Sequence, residues 1–381
     1  MARLGDVATY INGYAFKPED WSDIGLPIIR IQDLTGNSYQ ANRYNGEYAP
    51  KYEVNDGDVL ISWSASLGIY VWHGEKAVLN QHIFKVVFDK EEVCKNFFVH
   101  QVESILERAV SEAHGATMKH LTKPVFDALP FYLPPMEEQR KIAAVLDKVS
   151  DLIAKRRQQL EKLDLLVKAR FVEMFGDPVV NPYRFPMVKF GSILTVEPQN
   201  GLYKPQSDYV NDGSGIPILR IDGFYNGKVT NFQTLRRLRC SDEEIQRFLL
   251  QENDIVINRV NSIEYLGKCG LIQGLIEDTV YESNMMRIHI NESKLNAHYI
   301  VHLLCSRFIY NQILGRAKKS VNQASINQKD VQGFLVYTPP LKLQNQFADF
   351  VEQTEKTKMS IKESLAKLET LKKALMQEYF G

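Results

Sequence analysis

Along residues 1 to about 135 the apolar positions fall in short runs, at 26–31, 59–63, 69–72 and 82–88, that either alternate with polar residues or are wholly apolar, with Gly, Asn and Asp between them. That rhythm predicts short strands joined by tight turns. One helical stretch interrupts them at about 94–113, and a counterpart falls at 297–314; each is followed by a polar loop, 115–120 and 320–325, and then by a strand that runs into a Pro-Pro pair. The unit is a mixed α/β domain. After each Pro-Pro the pattern changes: no glycine or proline occurs in 136–175 or 341–380. Each stretch predicts a single helix of roughly 35 to 40 residues, about 50 to 60 Å long. Apolar residues there recur by threes and fours, as Val149, Leu152, Leu160, Leu163, Val167 and Met174, and again as Ile361, Leu365, Leu368 and Leu375. This is the spacing of a coiled-coil seam. Two such helices in one chain most simply pack on each other, as a rigid spacer between two domains.

The chain also repeats itself. Pro134-Pro135, Gln139, Ala143, Leu160, Leu163, Leu166, Lys168-Ala169, Glu173 and Phe175-Gly176 recur at an offset of 205 as Pro339-Pro340, Gln344, Ala348, Leu365, Leu368, Leu371, Lys373-Ala374, Glu378 and Phe380-Gly381. Upstream the offset shrinks stepwise. It is 186 for Leu4 to Val7 against Phe190 to Ile193, 190 for Pro-Ile-Ile-Arg-Ile from Pro27 against Pro-Ile-Leu-Arg-Ile from Pro217, 196 for Asp58 against Asp254, and 202 for Phe84 against Met286. The framework is shared and the loops have diverged. Such a chain presents two different binding surfaces on similar scaffolds, because loops carry recognition and frameworks carry packing.

With 381 residues and 44% hydrophobic composition the chain suffices for two domains with cores of their own. It has no apolar run of membrane-spanning length and no signal-like start, which points to a cytoplasmic protein. Cys94, Cys240, Cys269 and Cys305 are isolated in sequence and are expected to be free thiols, with neither a zinc site nor a disulfide framework. The 46 basic and 46 acidic residues cancel. Balance of the average does not exclude basic patches, and two occur, at Arg236-Arg237-Leu238-Arg239 and at Arg316-Ala317-Lys318-Lys319. The second precedes Ser320-Val321-Asn322-Gln323-Ala324-Ser325, and Lys, Asn, Gln and Ser are side chains that reach phosphates and base edges. A solvated surface is the simpler reading of each, as it is of Lys155-Arg156-Arg157 and Lys162, which Glu161 and Asp164 balance.

Signs of catalysis are weak. His298 and His302 have the spacing of two zinc ligands on a helix, but Tyr299 stands where a metalloprotease needs Glu. Gly267-Lys268 is followed by Cys269 and preceded by Ser262 where a phosphate loop needs a hydroxyl and a glycine. Asn181-Pro182-Tyr183 lacks the second proline of an adenine-methyltransferase motif and any glycine-rich turn upstream, so it reads as a linker. No nucleophile, base and orienting group share a recognisable context. The chain is expected to catalyse nothing.

Two mixed domains, each closed by a helix that opens with Pro-Pro-x-x-x-Gln and ends in Phe-Gly, resemble the specificity subunit of type I restriction-modification enzymes along the whole chain. The most specific stretch is the run from Leu133 through Pro134-Pro135-Met136-Glu137-Glu138-Gln139 to Asp147; the second copy departs from it with Lys342 and Leu343 in place of the acidic pair. The Leu-Pro-Ile-Ile-Arg-Ile run from Leu26 and the Ile-Pro-Ile-Leu-Arg-Ile run from Ile216 are similar to the entry strand of that family's recognition domains. The resemblance implies an α+β architecture: two tandem mixed α/β target-recognition domains, at 1–135 and 179–340, separated by two long helices, at 136–178 and 341–381, that form an antiparallel coiled coil with internal pseudo-two-fold symmetry. It implies a non-catalytic reader of double-stranded DNA in which each domain reads half of a split, asymmetric site. Two modification subunits would dock on the helices and restriction subunits would join them. S-adenosylmethionine and ATP would belong to those partners, and the chain would hold no cofactor or metal of its own.

The candidates for contact with DNA lie in polar loops after matching framework segments. In the first domain they are Ser62, Ser64 and Ser66 with Thr117, Lys119 and His120. In the second they are Arg259, Asn261 and Ser262 with Lys318, Lys319, Asn322, Gln323 and Ser325. Lys17 and Lys204 stand at matching places after the first strand. Arg30 and Arg220 recur in an otherwise apolar strand, either against a phosphate or in an internal salt bridge. Two competing readings stand beside this one: a divergent DNA methyltransferase or nuclease with recognition domains of its own, and a protein-binding coiled-coil scaffold.

Overall fold

A computed structural model of the chain describes residues 2–37, 42–64, 66–112, 122–229 and 231–381. Four helices organise it: α1 (Lys95–Glu112), α2 (Met136–Phe175), α3 (Ala297–Leu304) and α4 (Leu341–Phe380). Both α2 and α4 run for 40 residues, the full length of the stretches free of glycine and proline. The chain divides into two compact units, residues 1–158 with 362–381, and residues 159–361.

The Pro-Pro-x-x-x-Gln motif has a local cause. Gln139 is 1% exposed and Gln344 0% exposed, and each amide is saturated by backbone. Gln139 donates to the Pro134 carbonyl at 2.8 Å and accepts the Cys94 amide at 2.9 Å. Gln344 donates to the Pro339 carbonyl at 2.8 Å and accepts the Asn296 amide at 2.8 Å. Each glutamine thus ties the start of a long helix to the start of its domain's own helix, α1 or α3. At the far end of α2, Gly176 takes φ +75° and its amide closes on the Val172 carbonyl at 2.8 Å. This is the left-handed cap that a Cβ would oppose, and that Cβ would also lie 2.3 Å from the Pro182 ring.

In the first unit an antiparallel sheet runs in the order Thr9–Asn12, Ile83–Val87, Val59–Ser62, Gly68–Val71. A second sheet pairs Leu26–Ile29 in parallel with Ala77–Leu79. Tyr10, Ile61, Phe84, Phe97, Phe98 and Val102 pack with Ile142 and Leu146 of α2 and with Met376 and Phe380 of α4. Arg157 on α2 reaches Glu369 on α4 at 2.7 Å, while Ile142 and Leu146 share a core with Met376 and Phe380, so residue numbers rise along one helix as they fall along the other. The helix segments are antiparallel within this unit.

The second unit repeats the plan. Its larger sheet takes the order Gln199–Asn200, Met285–Ile288, Ile255–Asn258, Cys269–Leu271, Gly227–Val229, Phe224–Tyr225. Register reproduces the offsets seen in sequence: Ile61 faces Phe84 as Ile257 faces Met286, and Ile28 lies beside Val78 in parallel as Ile218 lies beside Val280. Val167, Phe171 and Phe175 of α2 enter a core with Tyr299, Ile300, Phe347 and Val351. Phe171 and Phe347 stand 5.4 Å apart, and Asp164 pairs with Lys358 further along, so the helices are antiparallel here too.

The seam is less apolar than its periodicity predicts. Lys358 is 4% exposed, held between Asp164 and Glu355, and Glu355 also takes Lys228 from the sheet. Burial pushes the Lys228 ammonium pKa down, while its two carboxylates hold Lys358 up against the same effect. One expected element also divides. The 297–314 stretch is two helices, because Cys305 ends α3 and Ser306 caps a new one, Arg307–Leu314.

Candidate nucleic-acid interface

Eight of the candidates meet on one small sheet of the second unit. Val260–Asn261 pairs with Ala324–Ser325, which pairs with Lys318–Lys319. The segment expected to be a polar loop is therefore a hairpin, with Ser320 donating to the Gln323 carbonyl at 2.7 Å and Val321 96% exposed at its tip. Lys318 and Lys319 on the edge strand, and Asn322 and Gln323 in the turn that follows it, are all exposed to solvent. Arg259 and Ser262 flank the neighbouring strand. The Arg259 guanidinium donates to the Ser283 carbonyl at 3.1 Å, its amide binds the Asn284 carbonyl at 2.9 Å, and the Asn261 side chain accepts the Ser262 amide at 2.8 Å. Among the described residues neither Lys318 nor Lys319 has a carboxylate within 4.0 Å. Two unneutralised ammoniums beside exposed amides form a surface that suits a phosphate backbone with base edges beside it.

The other cationic candidates are differently placed. Lys204 is ion-paired with Glu244 at 2.9 Å and Asp208 at 3.5 Å, and Glu244 holds its pKa above the ordinary lysine value. Arg30 faces Asp33 at 3.7 Å and the Trp21 ring. Arg220 lies 3.9 Å from Glu282, which also accepts the Ile221 amide, and it donates to the Tyr209 hydroxyl at 3.2 Å. Both arginines of the repeated strand thus sit in internal ion pairs. Lys17 is exposed beside Glu19.

In the first unit Ser62 is 0% exposed and Ser64 6% exposed. The Ser62 hydroxyl donates to the Ser66 carbonyl, closing the turn between its own strand and Gly68–Val71. Ser66 alone of the three is exposed. Thr117, Lys119 and His120 lie outside the described residues.

Other charged side chains that stand out in the sequence are engaged within the fold. The Lys268 ammonium lies 3.8 Å from the centre of the Tyr225 ring and 5.8 Å from that of Tyr265, and burial pushes its pKa down. In the Arg236–Leu238 strand, Arg237 is held by Glu277 at 2.7 and 2.8 Å while Arg236 covers the Tyr209 ring at 4.5 Å. His298 accepts from Gln273 at 3.0 Å, and His302 donates to the His298 carbonyl at 2.7 Å. Burial pushes the His302 pKa down to about 4. Both histidines are occupied by packing and hydrogen bonds on α3. Among the described residues no three His, Cys, Asp or Glu side chains gather as metal ligands, and no helix is long and apolar enough to cross a membrane.

The model of the type I restriction modification DNA specificity domain matches residues 1–163 and 184–370, once for each repeat. The chain belongs to that family. Along 423 aligned residues it is 26% identical to the EcoKI specificity subunit of Escherichia coli strain K12, covering 100% of this chain and 88% of that one. Against the EcoBI specificity subunit of Escherichia coli it is 23% identical over 410 residues, covering 99% and 84%. A solved S subunit of a type I restriction-modification system from M. genitalium has the same fold at 13% identity, with a TM-score of 0.57 over 100% of this chain and 95% of that one. As a type I DNA specificity protein the chain is a recognition subunit and not an enzyme. Its two long helices and two mixed α/β units are the family's architecture.

Proposed function

We propose that the two recognition domains, at 1–135 and 179–340, each read one half of a split, asymmetric double-stranded DNA target. The helices at 136–178 and 341–381 then serve as the spacer on which two modification subunits dock and restriction subunits assemble. On this reading S-adenosylmethionine and ATP are bound by those partners, this chain holds neither, and the assembly works in the cytoplasm.

The observation that carries the proposal is the small sheet of the second unit, where Lys318 and Lys319 supply charge for phosphates and Asn322, Gln323, Asn261 and Arg259 supply the donors and acceptors that distinguish base edges. Ser325 and Ser262 complete it, and Ser66 is the matching exposed position of the first domain. Asn261 on its paired strand, and Asn322 and Gln323 in the short turn that strand pairing closes, are held at a defined depth, which base readout requires.

The test is to co-express the chain with its cognate adenine methyltransferase and map methylated adenines across the host genome. One split motif with an adenine modified in each half is expected. Methylation without a bipartite motif, from a complex shown to assemble, would overturn the reading. Measurable binding of S-adenosylmethionine by the isolated chain would move the chain to the methyltransferase alternative.

A further inference from the structure

Cys269 and Cys305 are 36 residues apart in sequence and in contact in space, with their Sγ atoms 3.2 Å apart. They differ in access. Cys269, on the Cys269–Leu271 strand, is buried; Cys305, at the C-cap of α3, is exposed. Cys305 also lines a cleft of about 600 Å³ with Lys268, Tyr265, Tyr310 and Arg307, open to a small polar solute. The Cys269 sulfur also lies 3.8 Å from the Val301 carbonyl, one turn before Cys305.

We propose that Cys305 is an oxidative modification site for peroxides and that Cys269 is its resolving thiol. In the first step the Cys305 sulfur attacks a peroxide oxygen and the O–O bond breaks. Cys305 becomes a sulfenic acid and, from hydrogen peroxide, one water leaves. In the second step the Cys269 sulfur attacks the Cys305 sulfur, the S–O bond breaks, and the hydroxyl departs with the Cys269 proton as a second water. Two thiols and one hydrogen peroxide give one disulfide and two waters, so nothing else is oxidised or reduced. A sulfur already in van der Waals contact favours this resolution over further oxidation, which is irreversible.

Two features support a reversible role over inert packing. Sulfur in a disulfide lies about 2.05 Å from its partner, so closure asks for a shift of about 1 Å. Cys305 sits at the break between α3 and the following helix, where its amide makes the last bond of α3, to the Val301 carbonyl at 3.0 Å, and no helix continues through it. The Cys269 thiol is less suited to attack a peroxide first, because its hydrogen bond with Cys305 and its burial hold its pKa well above the ordinary cysteine range. The bond would staple the Cys269–Leu271 strand to α3, and that strand pairs with Ile255–Asn258, which leads directly to Arg259.

The experiment treats the reduced full-length protein with hydrogen peroxide at increasing ratios, blocks remaining thiols with a maleimide, and follows all four cysteines by peptide mass spectrometry. A single crosslinked peptide pair joining Cys269 to Cys305, two hydrogens lighter than the free peptides and fully restored by dithiothreitol, is the expected product. Cys269→Ser should let Cys305 run on to the sulfinic acid, whereas Cys305→Ser, a change at an exposed position, should leave Cys269 reduced. Sulfinic acid on Cys305 of the native chain without the crosslink would overturn the proposal, and so would oxidation of Cys269 at an undiminished rate in Cys305→Ser.

Discussion

Gln139 and Gln344 each satisfy a backbone donor and at least one backbone acceptor, so the loss of either amide leaves at least two polar groups unpaired. Each orphaned group costs about 1–3 kcal/mol. The three tryptophans, Trp21, Trp63 and Trp72, all fall in the first unit, which separates the two effects. Gln139→Leu is expected to lower the urea midpoint read by tryptophan fluorescence, while Gln344→Leu should leave that midpoint in place and lower the far-ultraviolet circular dichroism transition. Equal shifts by both probes in both variants would refute the local account. His302 adds a pH term. Its folded pKa of about 4 lies below the ordinary 6.5, so the unfolded chain takes up the proton first as pH falls. Stability is whole above about pH 6.5 and declines toward pH 4, by roughly 2–3 kcal/mol from this group. His302→Phe, which keeps the ring against Phe171 and Phe347, should flatten that acid limb in urea titrations. The glutamines are legible in sequence as a repeated motif, but their full reason is not: one bond of each is to a carbonyl five residues back, and the other crosses more than forty residues to a partner that only the fold supplies. The same limit hid the Cys269–Cys305 contact and the buried Lys358.

Among elements, the Lys318–Lys319 hairpin shows what short-range pattern reading can and cannot reach. Its composition marked it as a candidate for DNA, yet it read as a loop, because two-residue strands carry no periodicity: Lys318–Lys319 shows as a strand only by pairing with Ala324–Ser325, which in turn pairs with Val260–Asn261, some sixty residues earlier. Pairing also changes the prediction, since its two kinds of side chain now have separable jobs. Replacing Lys318 and Lys319 with Ala should weaken DNA binding by the assembled complex for all sequences alike. It should also reduce the slope of log affinity against log salt by about 2, near 0.9 for each lost phosphate contact. Replacing Asn322 and Gln323 should leave the salt slope in place and relax base preference in one half-site. An unchanged slope in the lysine variant would place these ammoniums away from DNA. The break between α3 and its successor was hidden for a similar reason: an apolar stripe that continues at helical spacing does not record that Ser306 has capped a new helix.

At the scale of the whole chain the duplication was fully legible, because offsets of 190, 196 and 202 in sequence are the offsets at which strands pair in the two units. What sequence could not place was the recognition surface of each copy, since the copies keep their frameworks alike and differ where they would touch DNA. Two classes of change therefore have opposite consequences. Exchange of residues 318–325 for an unrelated hairpin of equal length alters side chains that belong to one unit alone, so methylome mapping should find one half of the motif changed and the other half and the spacer intact. Proline at Leu163 or Leu368 acts on a helix that both units share, since α2 and α4 each contribute packing to both cores. It removes a helical hydrogen bond and clashes with the preceding turn, at a cost of about 3 kcal/mol or more. Both halves of the motif should then be lost together, although neither residue lies in a candidate DNA contact. Retention of one half-site after Leu368→Pro would mean that a domain reads DNA without its helix pair, and the spacer role proposed for the helices would fall.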